Sequence, residues 1–277
     1  MIAIVTDSTA YLTREEALQL GAIIVPMTYS LNGAYWMNEG YIGADDEAER
    51  RVSEHMDAVH TSQSTLGAFL NTFSRLARAG YEILCVTMSS RLSGTNANAV
   101  LAAREFADHP IAVVDSLTTC GGLYLLIQRA REMIDEGSTL ADVAQALQEM
   151  RSRVRTVFSV DDMAPLRRSG RLGNVKSSIS TILNIKPLLC VNEGAIVSSG
   201  IARGRIDQMR KLKQSADGAK GVVLIERFLA GEAAEGIAAQ FEAEGRATQS
   251  RRVGPVLGAH LGSGCIGLAW IDEQAEP

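Results

Sequence analysis

The chain has 277 residues, enough for two domains or one large one. It is 46% apolar and 21% charged, an ordinary globular composition that excludes a disordered chain. A formal net charge of −5 excludes a basic footprint for nucleic acid, and four scattered cysteines without a CxxC pair, beside four scattered histidines, exclude a recognisable zinc site.

The chain begins with the strand-like IAIVTD rather than a charged leader. No apolar run approaches the ~18 residues of a membrane span, so a soluble cytoplasmic protein is expected. Ile2 to Thr6 reads as a buried strand, and Thr13 to Glu16 as a capping box that opens a helix. Ala22 to Pro26 is a second strand, and Met27 to Trp36, with Asn32-Gly33 inside it, a hairpin excursion. His60 to Thr65 opens the helix LGAFLNTF. Ile83 to Met88 and Ile111 to Val114 are further strands. Leu123, Leu126, Ile127, Ala130, Met133 and Ile134 repeat at helical spacing, as do Leu140, Val143, Ala144, Leu147 and Met150. Alternating strands and helices imply a parallel, helix-covered sheet.

The character changes near Arg151–Thr156. A strand-like VFSV leads to a basic turn, RRSGRLG, and then to two strands joined at Asn192-Glu193-Gly194. A helix near Arg205–Ser215, a strand at Val222–Glu226, a helix near Glu232–Glu244 and strands near Thr248–Val253 and Cys265–Ile271 follow. The expected organisation is an N-terminal parallel-sheet α/β domain, 1–155, and a C-terminal α+β domain, 156–277. Cys85, Cys190 and Cys265 sit in apolar runs and read as buried thiols. The arginines at 151, 153, 155, 167, 168 and 171 read as a solvated face.

Ligands of open parallel sheets bind beyond the carboxyl ends of the strands. Three strands here end in hydroxyl-rich turns, Thr6–Thr9, Ser89–Thr95 and Asp115–Thr119, and TSQST at 61–65 makes a fourth cluster. Each could be a turn or a helix cap. Together they would form a patch of hydroxyls and helix N-terminal N–H groups suited to an anion. The nearest phosphate-loop match, Gly170–Ser177, has Val175 in place of the second glycine and is rejected. GxGxxG and GxSxG are absent from the positions that dinucleotide binding or a nucleophile elbow would need. Ser93 would be a nucleophile only if a base reached it, and His60 and His260 are the candidates. The residues alone support an α/β protein with an anion site.

Seven segments in order resemble the DegV family of fatty-acid-binding proteins. They are IVTDST at 4–9, TSQST at 61–65, SSRLSGT at 89–95, VVDS at 113–116, MAPLRRSGRLG at 163–173, LNIKPLL at 183–189 and GAHLGSGCIGLAW at 258–270. Departures from the family pattern are Ser64, Ser169 and Ser263, then Asn96 and Ala97 after LSGT, and Ala259 and Leu261 beside the closing histidine.

The resemblance implies that a long-chain fatty acid lies between the two domains. The first domain would carry the hydroxyl-rich head-group site and the second would complete an acyl tunnel. Carried over by motif, the ligand-binding residues are Thr61, Ser62, Ser93, Gly94, Thr95, Arg171 and His260. The resemblance further implies a carrier without catalytic residues, metal or cofactor, which presents the acid to a partner fatty acid kinase that makes an acyl phosphate. The net charge of −5 gives no reason to expect a nucleic-acid partner, and the resemblance leaves room for transient membrane contact during acyl exchange. The alternative is a serine hydrolase or acyltransferase using Ser93 with His260. Arg171 and a protonated His260 would either favour the ionised acid directly or orient the hydroxyls.

Overall fold

A computed structural model describes residues 1–43, 46–172 and 184–273. The first elements are β1 (Ile2–Asp7), α1 (Arg14–Gln19), β2 (Ala22–Val25), β3 (Met27–Ser30), β4 (Met37–Glu39) and α2 (Glu47–Glu54). β5 (His60–Ser62), α3 (Leu66–Arg78), β6 (Glu82–Thr87), α4 (Thr95–Arg104), β7 (Ile111–Asp115), α5 (Cys120–Asp135) and α6 (Leu140–Met150) follow. Next come β8 (Val154–Ser159), α7 (Ala164–Ser169), β9 (Ile185–Asn192), β10 (Ala195–Arg203) and α8 (Gly204–Ser215). The chain continues with β11 (Val223–Phe228), α9 (Gly231–Ala243), β12 (Thr248–Arg252), α10 (Pro255–Leu261) and β13 (Cys265–Ile271). Most of the rejected phosphate-loop candidate, and Leu183 of LNIKPLL, lie outside the described residues.

Three sheets organise these elements. The first is parallel, in the order β2-β1-β6-β7. A small antiparallel sheet, β4-β3-β5, stands beside it. The third has six strands, β10-β9-β8-β13-β11-β12, antiparallel throughout except for the β11–β12 pair. The α/β class expected from the alternation is therefore present, with a parallel sheet first and a mixed sheet after it. β8 runs across the expected 155/156 boundary as an inner strand of the six-stranded sheet.

Local chemistry explains most element boundaries. At α1, the Thr13 hydroxyl accepts from Glu16 N at 3.1 Å and the Glu16 carboxylate accepts from Thr13 N at 2.9 Å, which completes the capping box. The expected helix opening at His60–Thr65 divides differently. His60–Ser62 pairs with β3 as β5, and Thr65 alone caps α3 by accepting from Ala68 N. Where a basic turn was expected, α7 forms and ends at Gly170 in the left-handed conformation, φ 68°. α10 was not among the expected elements.

Both faces of the parallel sheet are covered, which is why its strands read as continuous apolar runs. Ile4, Leu84, Val86 and Val114 pack toward α5 and α6, against Leu123, Leu126 and Leu147. The alternate residues Ala3, Val5, Ile83 and Cys85 pack against Phe69, Phe73, Ala99 and Ala102 of α3 and α4. The six-stranded sheet divides the same way. Ile266, Leu268 and Trp270 face α8 and α9, while Cys265 and Ala269 join the core shared with α5. Polar ties also join early and late elements, including Arg251 to Glu16 at 2.6 Å and Glu39 to Val256 N at 2.7 Å.

Candidate functional site

The carboxyl ends of the parallel strands do bring the hydroxyl-rich turns together, but with different roles. Asp7 is fully buried; one oxygen accepts from Thr9 N and Oγ1, and the other from Met88 N at 2.6 Å. It fastens the end of β1 to the end of β6, and its turn is a structural brace. Ser89 donates to Gly194 O at 2.7 Å and Ser116 to Thr118 O at 3.1 Å, which uses those hydroxyls within the fold as well.

A cavity of about 570 Å³ lies between the parallel sheet and the six-stranded sheet, within the range of ligand pockets. Its wall is largely apolar, with Met88, Leu92, Phe158, Val191, Ile196 and Val256 among the contributors. Thr61, Ser62, Ser93, Gly94, Arg171 and His260 all line it. β5 delivers Thr61 and Ser62, the N-terminal end of α4 delivers Ser93 and Gly94, and α10 delivers His260.

Thr61 Oγ1 lies 2.8 Å from His260 Nε2. Ser93 Oγ lies 2.9 Å from Thr95 Oγ1 and accepts from Thr95 N at 3.3 Å. Thr95 is fully buried behind this wall and also accepts from Ser64 N. A Cβ on Gly94 would run into the Gln63 side chain, so glycine here lets a second cavity-lining polar group approach the α4 terminus. Arg171 is exposed and its guanidinium donates to Ser169 O. The hydroxyl partner of His260 is Thr61; Ser93 is bonded to Thr95 instead.

Burial pushes the His260 imidazole down to about 4, and the neighbouring Arg171 guanidinium adds to the effect. Burial thus favours the uncharged ring, and the contact with Thr61 is the one through which His260 can orient a hydroxyl. α10 is held in place by Glu39 on Val256 N and by the Tyr11 hydroxyl oxygen on Leu257 N at 3.1 Å.

The family model described as "Uncharacterised protein, DegV family" matches residues 1–273. The chain belongs to the DegV family. A DegV domain-containing protein of Halalkalibacterium halodurans is 32% identical, covering 99% of each chain. One from Deinococcus radiodurans is 30% identical, covering 97% of each. Among solved structures, a fatty-acid-binding DegV family protein from Thermus thermophilus superposes with a TM-score of 0.85 at 28% identity, covering 98% of this chain and 99% of that one. A DegV family protein from Streptococcus agalactiae reaches 0.88 at 22% identity, covering 99% of both chains, and shares the fold.

Within this DegV fold three of the departures from the family motifs have visible roles. The Asn96 amide donates to Thr87 Oγ1 at 2.9 Å and fixes the end of β6 to α4. Ser64 is buried and donates to Val25 O at 2.9 Å, pinning β2. Leu261 adds apolar surface to the cavity wall.

The cavity also has lining residues absent from the motif-based set: Gln63, Thr119, Cys120, Thr156 and Glu226. Glu226 is the least expected of them. It is buried, and burial raises its carboxyl to about 7, partly offset by the Gly121 N–H that it accepts. A carboxylate in the middle of VVLIERF was the available sequence signal. Among the described residues no helix is long and apolar enough to cross a membrane, and no group of three or more His, Cys, Asp or Glu is placed to hold a metal.

Proposed function

We propose that this chain binds one long-chain fatty acid in the cavity and presents its carboxylate to a partner fatty acid kinase. The observation that carries this reading is the placement of Thr61–His260 and Ser93 together in the wall of a largely apolar cavity of about 570 Å³. Each buried methylene contributes about 0.8 kcal/mol, so a long tail supplies on the order of 10 kcal/mol before the costs of association. The carboxylate then acts mainly to set which end of the acid faces out. Three exposed residues, Thr65, Leu66 and Arg171, line the same cavity and mark where it meets solvent.

The head-group chemistry follows from the neutral His260. With its proton on Nε2, the imidazole donates to Thr61 Oγ1 and leaves the Thr61 O–H free to donate to the carboxylate. Ser62 and Ser93 add hydroxyl donors, and the α4 terminus adds backbone N–H groups. In this reading the protein is a carrier: His260 sets a hydroxyl and activates no nucleophile. Fatty-acid binding by the Thermus thermophilus relative supports the ligand class.

Native mass spectrometry of protein purified without added lipid tests the reading. The expected result is a bound mass equal to one long-chain acid. A clean apo mass that stays unchanged after incubation with such acids would overturn it.

A further inference from the structure

One polar side chain in the cavity wall has no partner within the fold. In the segment 61–65, Thr61 bonds to His260, Ser64 donates to Val25 O and Thr65 caps α3. Gln63 lines the cavity among them, partly buried, and its carboxamide makes no hydrogen bond among the described residues.

Gly94 fixes where that carboxamide lies. A Cβ on Gly94 would overlap the Cδ, Oε1 and Nε2 atoms of Gln63, so the group rests against the Gly94 backbone. The φ of Gly94 is −73°, which any residue adopts, so glycine is needed here for space rather than for backbone freedom. Gly94 is the capping residue of α4 and adjoins Ser93, and both line the cavity. The unpartnered carboxamide therefore stands at the same end of the cavity as the Ser93 hydroxyl.

This placement answers a need of the head group. A carboxylate has about four lone-pair sites, whereas Thr61, Ser62 and Ser93 carry one hydroxyl hydrogen each. A carboxylate taken out of water with an acceptor site unfilled costs free energy. The Gln63 carboxamide has two N–H donors free to fill it.

We infer that Gln63 is a further binding residue of the head-group site: an Nε2–H of its carboxamide donates to the carboxylate of the acid, and Gly94 leaves the room for it. The inference rests on the fatty-acid reading above and adds to that head-group site a donor from outside the hydroxyl set.

The test compares dissociation constants for palmitic acid and 1-hexadecanol on delipidated full-length protein. Gln63→Glu keeps the shape, removes both donors and sets a second carboxylate against the first. Palmitic acid should bind this variant at least about tenfold more weakly. Hexadecanol, whose hydroxyl donates to Glu as readily as to Gln, should change by less than about threefold. Gly94→Ala, which displaces the carboxamide, should weaken palmitic acid about tenfold alone and cause no further loss in a Gln63→Ala background. Unchanged palmitic acid binding by Gln63→Glu, or equal weakening of both ligands, would overturn this inference and leave the fatty-acid reading standing. So would a Gly94→Ala loss that is the same with and without Gln63. Failure of palmitic acid to bind the wild type would overturn both.

Discussion

The Glu39 carboxylate accepts the backbone N–H of Val256 at 2.7 Å, across 217 positions of sequence. Its second oxygen accepts from the Ser8 hydroxyl at 2.8 Å. The end of β4 and the turn after β1 are thereby tied to the first turn of α10, the helix that holds His260 against Thr61. The site's geometry depends on a carboxyl group that does not face the cavity.

That carboxyl gives a pH dependence with a definite sign. Burial raises Glu39 to about 8, and nearby Asp7 and Glu49 push the same way. Between the ordinary value of 4.5 and about 8 the folded protein holds a proton that the unfolded chain releases. The contribution is fully present below the unfolded value and is lost as pH rises through the folded one. Glu226, raised to about 7, acts in the same direction. Thermal unfolding should therefore occur at a higher temperature at about pH 5.5 than at about pH 8.5, and Glu39→Gln should flatten the difference. A midpoint that rises with pH over this interval would contradict the assignment.

Thr61→Val should weaken fatty-acid binding about 10-fold to 100-fold, the range for losing one hydrogen bond to a charged group. His260→Ala should cost less, because it removes the group that orients the hydroxyl and leaves the hydroxyl itself. Isothermal titration with a long-chain acid measures both, and the reverse order would place His260 on the carboxylate.

Ser93 is bonded to Thr95, and His260 to Thr61. The protein should therefore resist covalent labelling by a fluorophosphonate, read by intact mass, while Ser93→Ala still weakens acid binding several-fold. Stoichiometric labelling at Ser93 would favour the hydrolase alternative.

Gly258 brings α10 against the Phe228 ring, which is fully buried, and a Cβ there would overlap the ring. Gly258→Ala should destabilise the fold by about 1–3 kcal/mol, the usual cost of overpacking, as measured by denaturant unfolding.

The apolar runs of β1 and β6 and the helical stripes of α5 and α6 were legible in the sequence because long-range packing and local periodicity agree there. β5 was not. It is three residues long and composed of His60, Thr61 and Ser62, and only its pairing with β3 makes it a strand. α10 was missed because its seven residues include Gly258 and Ala259 and its N-terminal N–H groups are satisfied from Glu39 and Tyr11, far away in the chain.

Thr61, Ser62, Ser93, Gly94, Arg171 and His260 were named from their motifs, and the fold gathers them around one cavity. Thr95 was named with them, and the fold sets it behind the wall. Thr119 belonged to a hydroxyl cluster already visible in the sequence, and nothing local distinguished it from an ordinary cap. The Gly121 N–H is taken instead by Glu226, brought to the start of α5 by the six-stranded sheet.

The most direct test of fatty-acid binding at this site is a titration of delipidated protein with palmitic acid, run beside a Thr61→Val/Ser93→Ala double variant. Wild type should bind one acid per chain, and the double variant, with an unchanged circular dichroism spectrum, should bind at least 100-fold more weakly, or about 2.7 kcal/mol. No binding by wild type, or equal binding by both, would contradict the account.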